Sequence, residues 1–416
     1  IEMKRLLALV LTLALSLTCF VAFAEEDVTL SIAFHYPEEY ASDIITEFEA
    51  AHPGVKVEYN YFQITDEELI TRLVGGEYWD VGLVPKAWGN AELTNYYMDL
   101  GSSAQWADQY YFGDFRSYEG ETYALPIGVV YEGLLYNQAV LDQYNNGVMP
   151  NTLDGFMALC QVLKENGVIP VWCNGGSGWA MRYWTNLAAT ITEDADYANK
   201  VALAKDPWAE GSALRTANAY LETFAKNGWL EPDVVTGNQW DTSTASLSLG
   251  QTAFILTGTW AVDNARSMAQ SLDVNPENIK FAAFPYKNDV SADSPLWLRV
   301  SEDLFCGVSN KSEHPELAKE LLTFFCDRIA NAIGMNGANK ETGKPVASVE
   351  YLTSIDYYHL YSPSMNDAKI EEYANNCGID LYAYDNYLLD YVVLPALESG
   401  TANWDVLNEA WNKNFQ

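Results

Sequence analysis

Phe48-Glu49-Ala50-Ala51-His52-Pro53-Gly54-Val55-Lys56-Val57-Glu58 closes a helix, turns and opens a strand. The helix is an amphipathic run from Glu38 to Ala51, with Ile44, Ile45 and Phe48 on one face. Proline cannot continue the helical hydrogen-bond pattern, so His52-Pro53-Gly54 stops it. Val55 to Tyr61 then reads as a strand. Upstream, Val28-Thr29-Leu30-Ser31-Ile32-Ala33-Phe34 alternates as another. Downstream, Asp66 to Gly75 predicts a second helix and Val81-Gly82-Leu83-Val84 a third strand. A β-α-β-α-β order implies a mostly parallel sheet with right-handed crossovers.

Further along, Tyr123 to Pro126 and Leu134 to Asn137 are extended. Pro150-Asn151-Thr152-Leu153 precedes a helix through Phe156, Leu159 and Leu163, and Val168 to Trp172 is a strand. Helical stretches are expected near 194–204 and 211–227. Ile279 to Phe284 and Asp303 to Val308 read as strands, and Pro315 to Cys326 as an amphipathic helix. The tail from about 351 reads as helical and aromatic.

A chain of 416 residues with 49% apolar content suits a globular protein of two lobes. Its 23 basic against 57 acidic residues give a net charge of -34. That balance excludes the positive footprint nucleic-acid binding needs and disfavours docking on anionic lipid. The N-terminus reads as a signal peptide over residues 1–24. Lys4-Arg5 are its positive start, Leu6 to Thr18 its apolar core, and Ala22-Phe23-Ala24 the cleavage site. Cys19 follows Ser16-Leu17-Thr18, a poor fit to a lipid-attachment site. Cys160, Cys173, Cys306, Cys326 and Cys377 lie beyond the leader, an odd number without zinc spacing. They are expected to be small buried hydrophobes, with room for one disulfide that sequence cannot assign.

Leu249-Gly250-Gln251-Thr252-Ala253-Phe254-Ile255-Leu256-Thr257-Gly258-Thr259-Trp260 carries the sharpest functional signal. A short apolar strand ends at a glycine, and an indole follows at the start of a helix. In α/β sheets that end of a strand is where ligands bind. A flat aromatic face there suits a sugar ring, and a core anchor is the plainer reading.

The order of these segments resembles family 1 extracellular solute-binding proteins, the carbohydrate-capturing components of ABC importers. The family's "F-E-x-x-x-P-G" and "V-x-V-E" correspond to Phe48 to Glu58, and its "D-V" strand to Asp80-Val81. Its "G-x-x-Y-A-L-P … G-L-x-Y-N" segment corresponds to Gly120 to Pro126 and Gly133 to Asn137. "P-x-T-x-x-x-F" is Pro150, Thr152 and Phe156, and "G-x-x-A-x-x-x-x-G-x-W" is Gly250, Ala253, Gly258 and Trp260. A looser "S-K-x-x-E-x-A-K" spans Asn310 to Lys319. The resemblance implies a two-lobe periplasmic-binding-protein-like fold of type II. Each lobe is then an α/β unit with a mixed, mostly parallel sheet, joined by crossing hinge strands. By that analogy lobe one is 27–129 plus 295–335, and lobe two is 130–294 plus 336–416. It also implies a monomer that traps carbohydrate by hinge closure, hands it to a membrane permease, and uses no cofactor, metal or catalytic residue.

A sugar site needs aromatic faces for the C–H surfaces of the ring and planar polar groups for its hydroxyls. Family positions point to His35 and Tyr36 after the first strand, and to Lys86 and Trp88 after the third. The run Gly175-Gly176-Ser177-Gly178-Trp179-Ala180-Met181-Arg182-Tyr183-Trp184 gives a flexible approach to a helix, with Trp179 and Arg182 on one face. Trp184 reads as packing inward. Trp240 and Asp241, then Trp260 and Asp263, extend the set, although Asp241 reads equally as a helix cap. Arg299 and Glu302 lie on the expected second crossing and read either as cleft residues or as surface charges. Two rivals stay open. A polyamine binder suits the acidity. A carbohydrate-active enzyme would need a carboxylate pair that no motif singles out.

Overall fold

The computed structural model describes residues 28–61, 66–236, 239–342, 358–363, 372–373, 376–379 and 387–415. The expected leader with Cys19, and much of the tail after 351, lie outside the described residues. Strand β1 (Val28–Phe34), helix α1 (Ser42–Ala51), β2 (Val55–Tyr61), α2 (Asp66–Val74) and β3 (Val81–Leu83) follow the expected order. The first helix starts later than its apolar pattern, because Glu38–Tyr40 forms a separate 3-10 turn before Ala41. The two extended stretches around residues 123–137 are one strand, β4 (Leu125–Asn137).

Next come α3 (Leu153–Glu165), β5 (Ile169–Trp172), α4 (Gly178–Thr192) and α5 (Ala213–Asn227). Thr152 caps α3 by accepting from the Gly155 N–H. The helix expected near 194–204 shrinks to Tyr197–Ala202. Then follow α6 (Trp240–Ser248), β6 (Thr252–Gly258), α7 (Ala261–Ser271), β7 (Ile279–Ala282), β8 (Leu296–Val308) and α8 (Pro315–Ala332). Last are β9 (Asn336–Gly337), β10 (Tyr358–Tyr361) and α9 (Trp404–Trp411). Among the described residues of the tail, Leu389–Ser399 and Trp404–Trp411 are helical as expected, and strand β10 corrects that reading only over Tyr358–Tyr361. Its backbone pairs with β8, from Leu296 opposite Tyr358 to Arg299 opposite Tyr361.

The chain forms two compact units. The first takes in Ile1–Ser103, Arg116–Leu125 and Phe305–Ile329. Within it β1 pairs in parallel with β2 on one side and β3 on the other, and the end of β8 adds antiparallel to β3. Leu30, Ile32 and Phe34 of β1 are wholly buried. Phe34 meets Phe325 of α8 edge-on at 5.2 Å, and Phe48 of α1 meets Phe324 at 5.4 Å. The family motif's Asp80 turns out to be a tie. It accepts from the Ser31 N–H and hydroxyl, each at 2.8 Å, and from the Ser312 hydroxyl at 2.6 Å.

The second unit takes in Ala104–Phe115, Pro126–Leu304 and Ala330–Gln416. Its sheet is mixed: β5 and β6 are parallel, whereas β4 is antiparallel to β6, β7 and β9. Every residue of β6 is buried, as expected of a strand covered on both faces. Phe156 packs on Phe254 of β6, and edge-to-face contacts run on from Phe156 to Phe284, to the fully buried Trp184 and to Phe224, so Trp184 points inward as its sequence context suggests.

Candidate functional site

The site in the second unit is built on three element starts. Strand β6 ends at Gly258. The Thr259 N–H then donates to the Tyr131 carbonyl at 3.0 Å, and its hydroxyl accepts from the Tyr131 N–H at 3.1 Å. That double tie to β4 fixes where Trp260 leaves the sheet, immediately before α7. Trp179 stands in the first turn of α4, and Trp240 opens α6.

The three indoles converge. Trp260 lies 4.8 Å from Trp240 and 5.7 Å from Trp179, and Trp179 lies 5.8 Å from Trp240. All three are half-buried. The indole N–H of Trp260 donates to the Tyr183 hydroxyl at 3.0 Å. Tyr183 is buried, and desolvation pushes its phenol up to about 12, so it stays neutral. The sequence reading missed Tyr183. The signal was present, because Tyr183 follows Trp179 by four residues and so shares its helix face.

The loop before α4 is held tightly. Asn174 adopts a left-handed backbone with φ 53°. Gly175 and Gly176 run against another stretch of chain. A Cβ on Gly176 would lie 2.2 Å from the Thr236 carbonyl oxygen, and one on Gly175 would lie 2.6 Å from that of Val234. The buried Glu231 carboxylate accepts from the Cys173 N–H at 2.8 Å and the Gly175 N–H at 3.3 Å. Burial raises the Glu231 carboxyl above its usual range. Nothing local in Gly228-Trp229-Leu230-Glu231 announces this clamp.

The remaining candidates of this unit divide. Arg182 is half-buried beside Tyr183, its guanidinium 5.9 Å from that ring. Asp241 is exposed in the first turn of α6, and Gln239 rather than Asp241 occupies the cap position. Asp263 is half-buried in the first turn of α7. Desolvation raises its carboxyl, against an opposing pull from Arg266. Gly334 packs against that carboxylate, and a Cβ there would lie 2.1 Å from an Asp263 oxygen. Arg299 forms an ion pair with Glu132 of β4, whose other oxygen accepts from the Asn186 amide at 2.9 Å. Glu302 is half-buried on β8. Glu132, an acid inside an apolar strand, was legible in Val130-Tyr131-Glu132-Gly133-Leu134 but was not singled out.

In the first unit the four candidates leave the same end of one sheet. His35 and Tyr36 follow β1, and Lys86 and Trp88 follow its parallel neighbour β3. The His35 and Tyr36 rings lie 4.5 Å apart, and the Tyr59 hydroxyl donates to the Tyr36 carbonyl at 2.7 Å. Trp88 stacks on Tyr96 at 4.4 Å. The Lys86 and Ala87 N–H groups donate to the Asp66 carboxylate, which shapes the loop beneath Trp88. Among the described residues no group of His, Cys, Asp and Glu is placed to hold a metal ion.

The sequence matches the family profile for bacterial extracellular solute-binding protein over residues 36–327, more than half of the chain. It is 24% identical over 299 residues to the melibiose/raffinose/stachyose-binding protein MelE of Bacillus subtilis, covering 69% of this chain and 65% of that protein. To the multiple sugar-binding protein of Streptococcus mutans it is 20% identical, covering 76% and 77%. The structure of BlMnBP1, an ABC-transporter binding protein from Bifidobacterium animalis subsp. lactis in complex with mannobiose, superposes with a TM-score of 0.78. The identity is 19%, and 94% of each chain is covered. RafE in complex with raffinose gives a TM-score of 0.67 at 17% identity, covering 94% of this chain and all of that one. At such identities the structural likeness establishes the fold, a two-lobe solute-binding fold. This chain belongs to the bacterial extracellular solute-binding protein family.

Proposed function

We propose that this chain captures a carbohydrate and delivers it to the membrane permease of an ABC importer, doing no chemistry on it. The observation that carries this reading is the meeting of Trp179, Trp240 and Trp260, each half-buried, at the starts of three helices. Indole faces match the C–H surfaces of a pyranose, and the polar groups around them serve its hydroxyls. Of the polar candidates, Asp263 follows Trp260 within the first turn of α7, and Arg182 follows Trp179 on α4. Sugar-binding relatives and sugar-bound structural neighbours support the ligand class. In this reading the leader is cut after Ala24, Cys19 carries no lipid, and the mature protein works outside the cytoplasmic membrane as a monomer.

The test is a thermal-shift and calorimetric panel of mannobiose, mannotriose, raffinose, stachyose and spermidine. A sugar should raise the melting temperature by mass action and be recovered unchanged. Trp260→Ala should weaken that binding by more than ~1 kcal/mol with little loss of stability, as for a stacking anchor. A response to spermidine alone, or release of a cleaved sugar, would replace this reading with one of its rivals.

A further inference from the structure

We propose that Tyr183 is a positioning residue for binding: its hydroxyl, acting through the indole N–H of Trp260, sets the plane in which that ring meets a sugar. The inference rests on the carbohydrate reading above. A half-buried tryptophan on a wall can swing about two side-chain torsions unless its N–H is held. Here the N–H donates to Tyr183 at 3.0 Å. That hydroxyl belongs to a buried side chain on helix α4, the same helix that carries Trp179. One helix therefore both supplies one aromatic surface and orients another.

Gly258 supports the same conclusion from the opposite side. It is absent from the glycines with positive φ, so its backbone does not require glycine. What it supplies is room. An added Cβ would lie 2.6 Å from Trp260 Cδ1, 2.8 Å from its Nε1 and 3.2 Å from the Tyr183 hydroxyl. The pyrrole edge of the indole thus lies close against the strand end, and its nitrogen is held there by Tyr183. Trp240 and Trp179, tilted at 41° and 62° to it, pack against it. A ring ordered before the ligand arrives loses less entropy on binding.

The test is a double-mutant cycle in the full-length mature protein. It uses whichever of mannobiose, mannotriose, raffinose and stachyose gives the largest thermal shift. Tyr183→Phe should weaken binding by roughly three- to tenfold, the range of one hydrogen bond. It should add nothing in the Trp260→Ala background. It should also change the near-ultraviolet circular dichroism of the free protein, as rotation within the indole cluster requires. Gly258→Ala, whose added methyl meets the Trp260 indole at 2.6 Å and the Tyr183 hydroxyl at 3.2 Å, disturbs the same contact from the strand side and should reproduce both effects. Wild-type affinity in Tyr183→Phe, or an equal loss with and without Trp260, overturns the positioning role. Wild-type affinity in Trp260→Ala takes Trp260 out of the site and overturns the proposal while the carbohydrate reading stands; no binding of any of these sugars counts against that reading itself.

Discussion

Arg299 and Glu132 form a charge pair inside the second unit, with only 15% and 6% of their side chains exposed. Neither can be removed alone without leaving a charge in a dry place. Arg299→Ala should therefore destabilise the protein by roughly 3–5 kcal/mol in urea unfolding. The double change Arg299→Met with Glu132→Leu should recover most of that loss. If Arg299→Ala instead abolished sugar binding and left stability unchanged, Arg299 would be a ligand contact.

Glu49 gives a pH dependence with a definite sign. Its carboxylate accepts from the Val57 N–H and from Lys56, each at 2.9 Å, fastening β2 to the end of α1. The Val57 hydrogen bond, then Lys56, hold its carboxyl below the usual 4.5. A depressed carboxylate contributes stability above its unfolded pKa and loses it as pH falls through the folded one. Glu49→Gln should cost about 0.5–1 kcal/mol at pH 7. That gap should close as the pH drops below 4.5. Urea midpoints of the two proteins across about pH 3–7 would show a flat gap if Glu49 does not titrate.

Gly176 approaches the Thr236 carbonyl too closely for any side chain. Gly176→Ala should force the loop before α4 outward and carry Trp179 with it. Sugar affinity should fall at least as much as stability, by roughly 1–3 kcal/mol for the overpacking. Affinity unchanged alongside a lower melting temperature would mean that this loop does not set the position of Trp179.

Among the described residues Cys160, Cys173, Cys306, Cys326 and Cys377 are free thiols, so the disulfide allowed by the sequence does not form among them. Cys160, Cys173, Cys306 and Cys326 are buried, and desolvation raises all four thiols. Of these five, Cys377 alone is partly accessible. A thiol reagent should label Cys377 first in the native mature protein and the other four only after denaturation. Rapid native labelling of Cys173 would show that the loop held by Glu231 opens.

The first unit was the most legible part of the chain. In Val28 to Val84 each element is specified by neighbours a few residues away, and Ile44, Ile45 and Phe48 are buried as their spacing requires. Trp184 was legible as core, and Trp179 and Trp260 were legible as indoles at helix starts, with Trp260 left open between ligand contact and core anchor. Their mutual approach was not, because nothing local says that α4, α6 and α7 begin at one place. Glu231 and Asn186 were invisible for a related reason: each matters through a partner distant in sequence. Strand β10 was misread because its aromatic residues fit either periodicity, and its pairing with β8 settles the matter.

The β3–β8 ladder sets Val81 against Val308 and Leu83 against Cys306. A sheet that begins at Val28 thus waits for a strand ending at Val308. During synthesis the whole stretch from Pro126 to Leu304 emerges first, while β3 stands with one edge unpaired. An early-folding N-terminal half would present that edge to other chains. The last strand of the first unit is, in time, one of the later parts of the protein to exist.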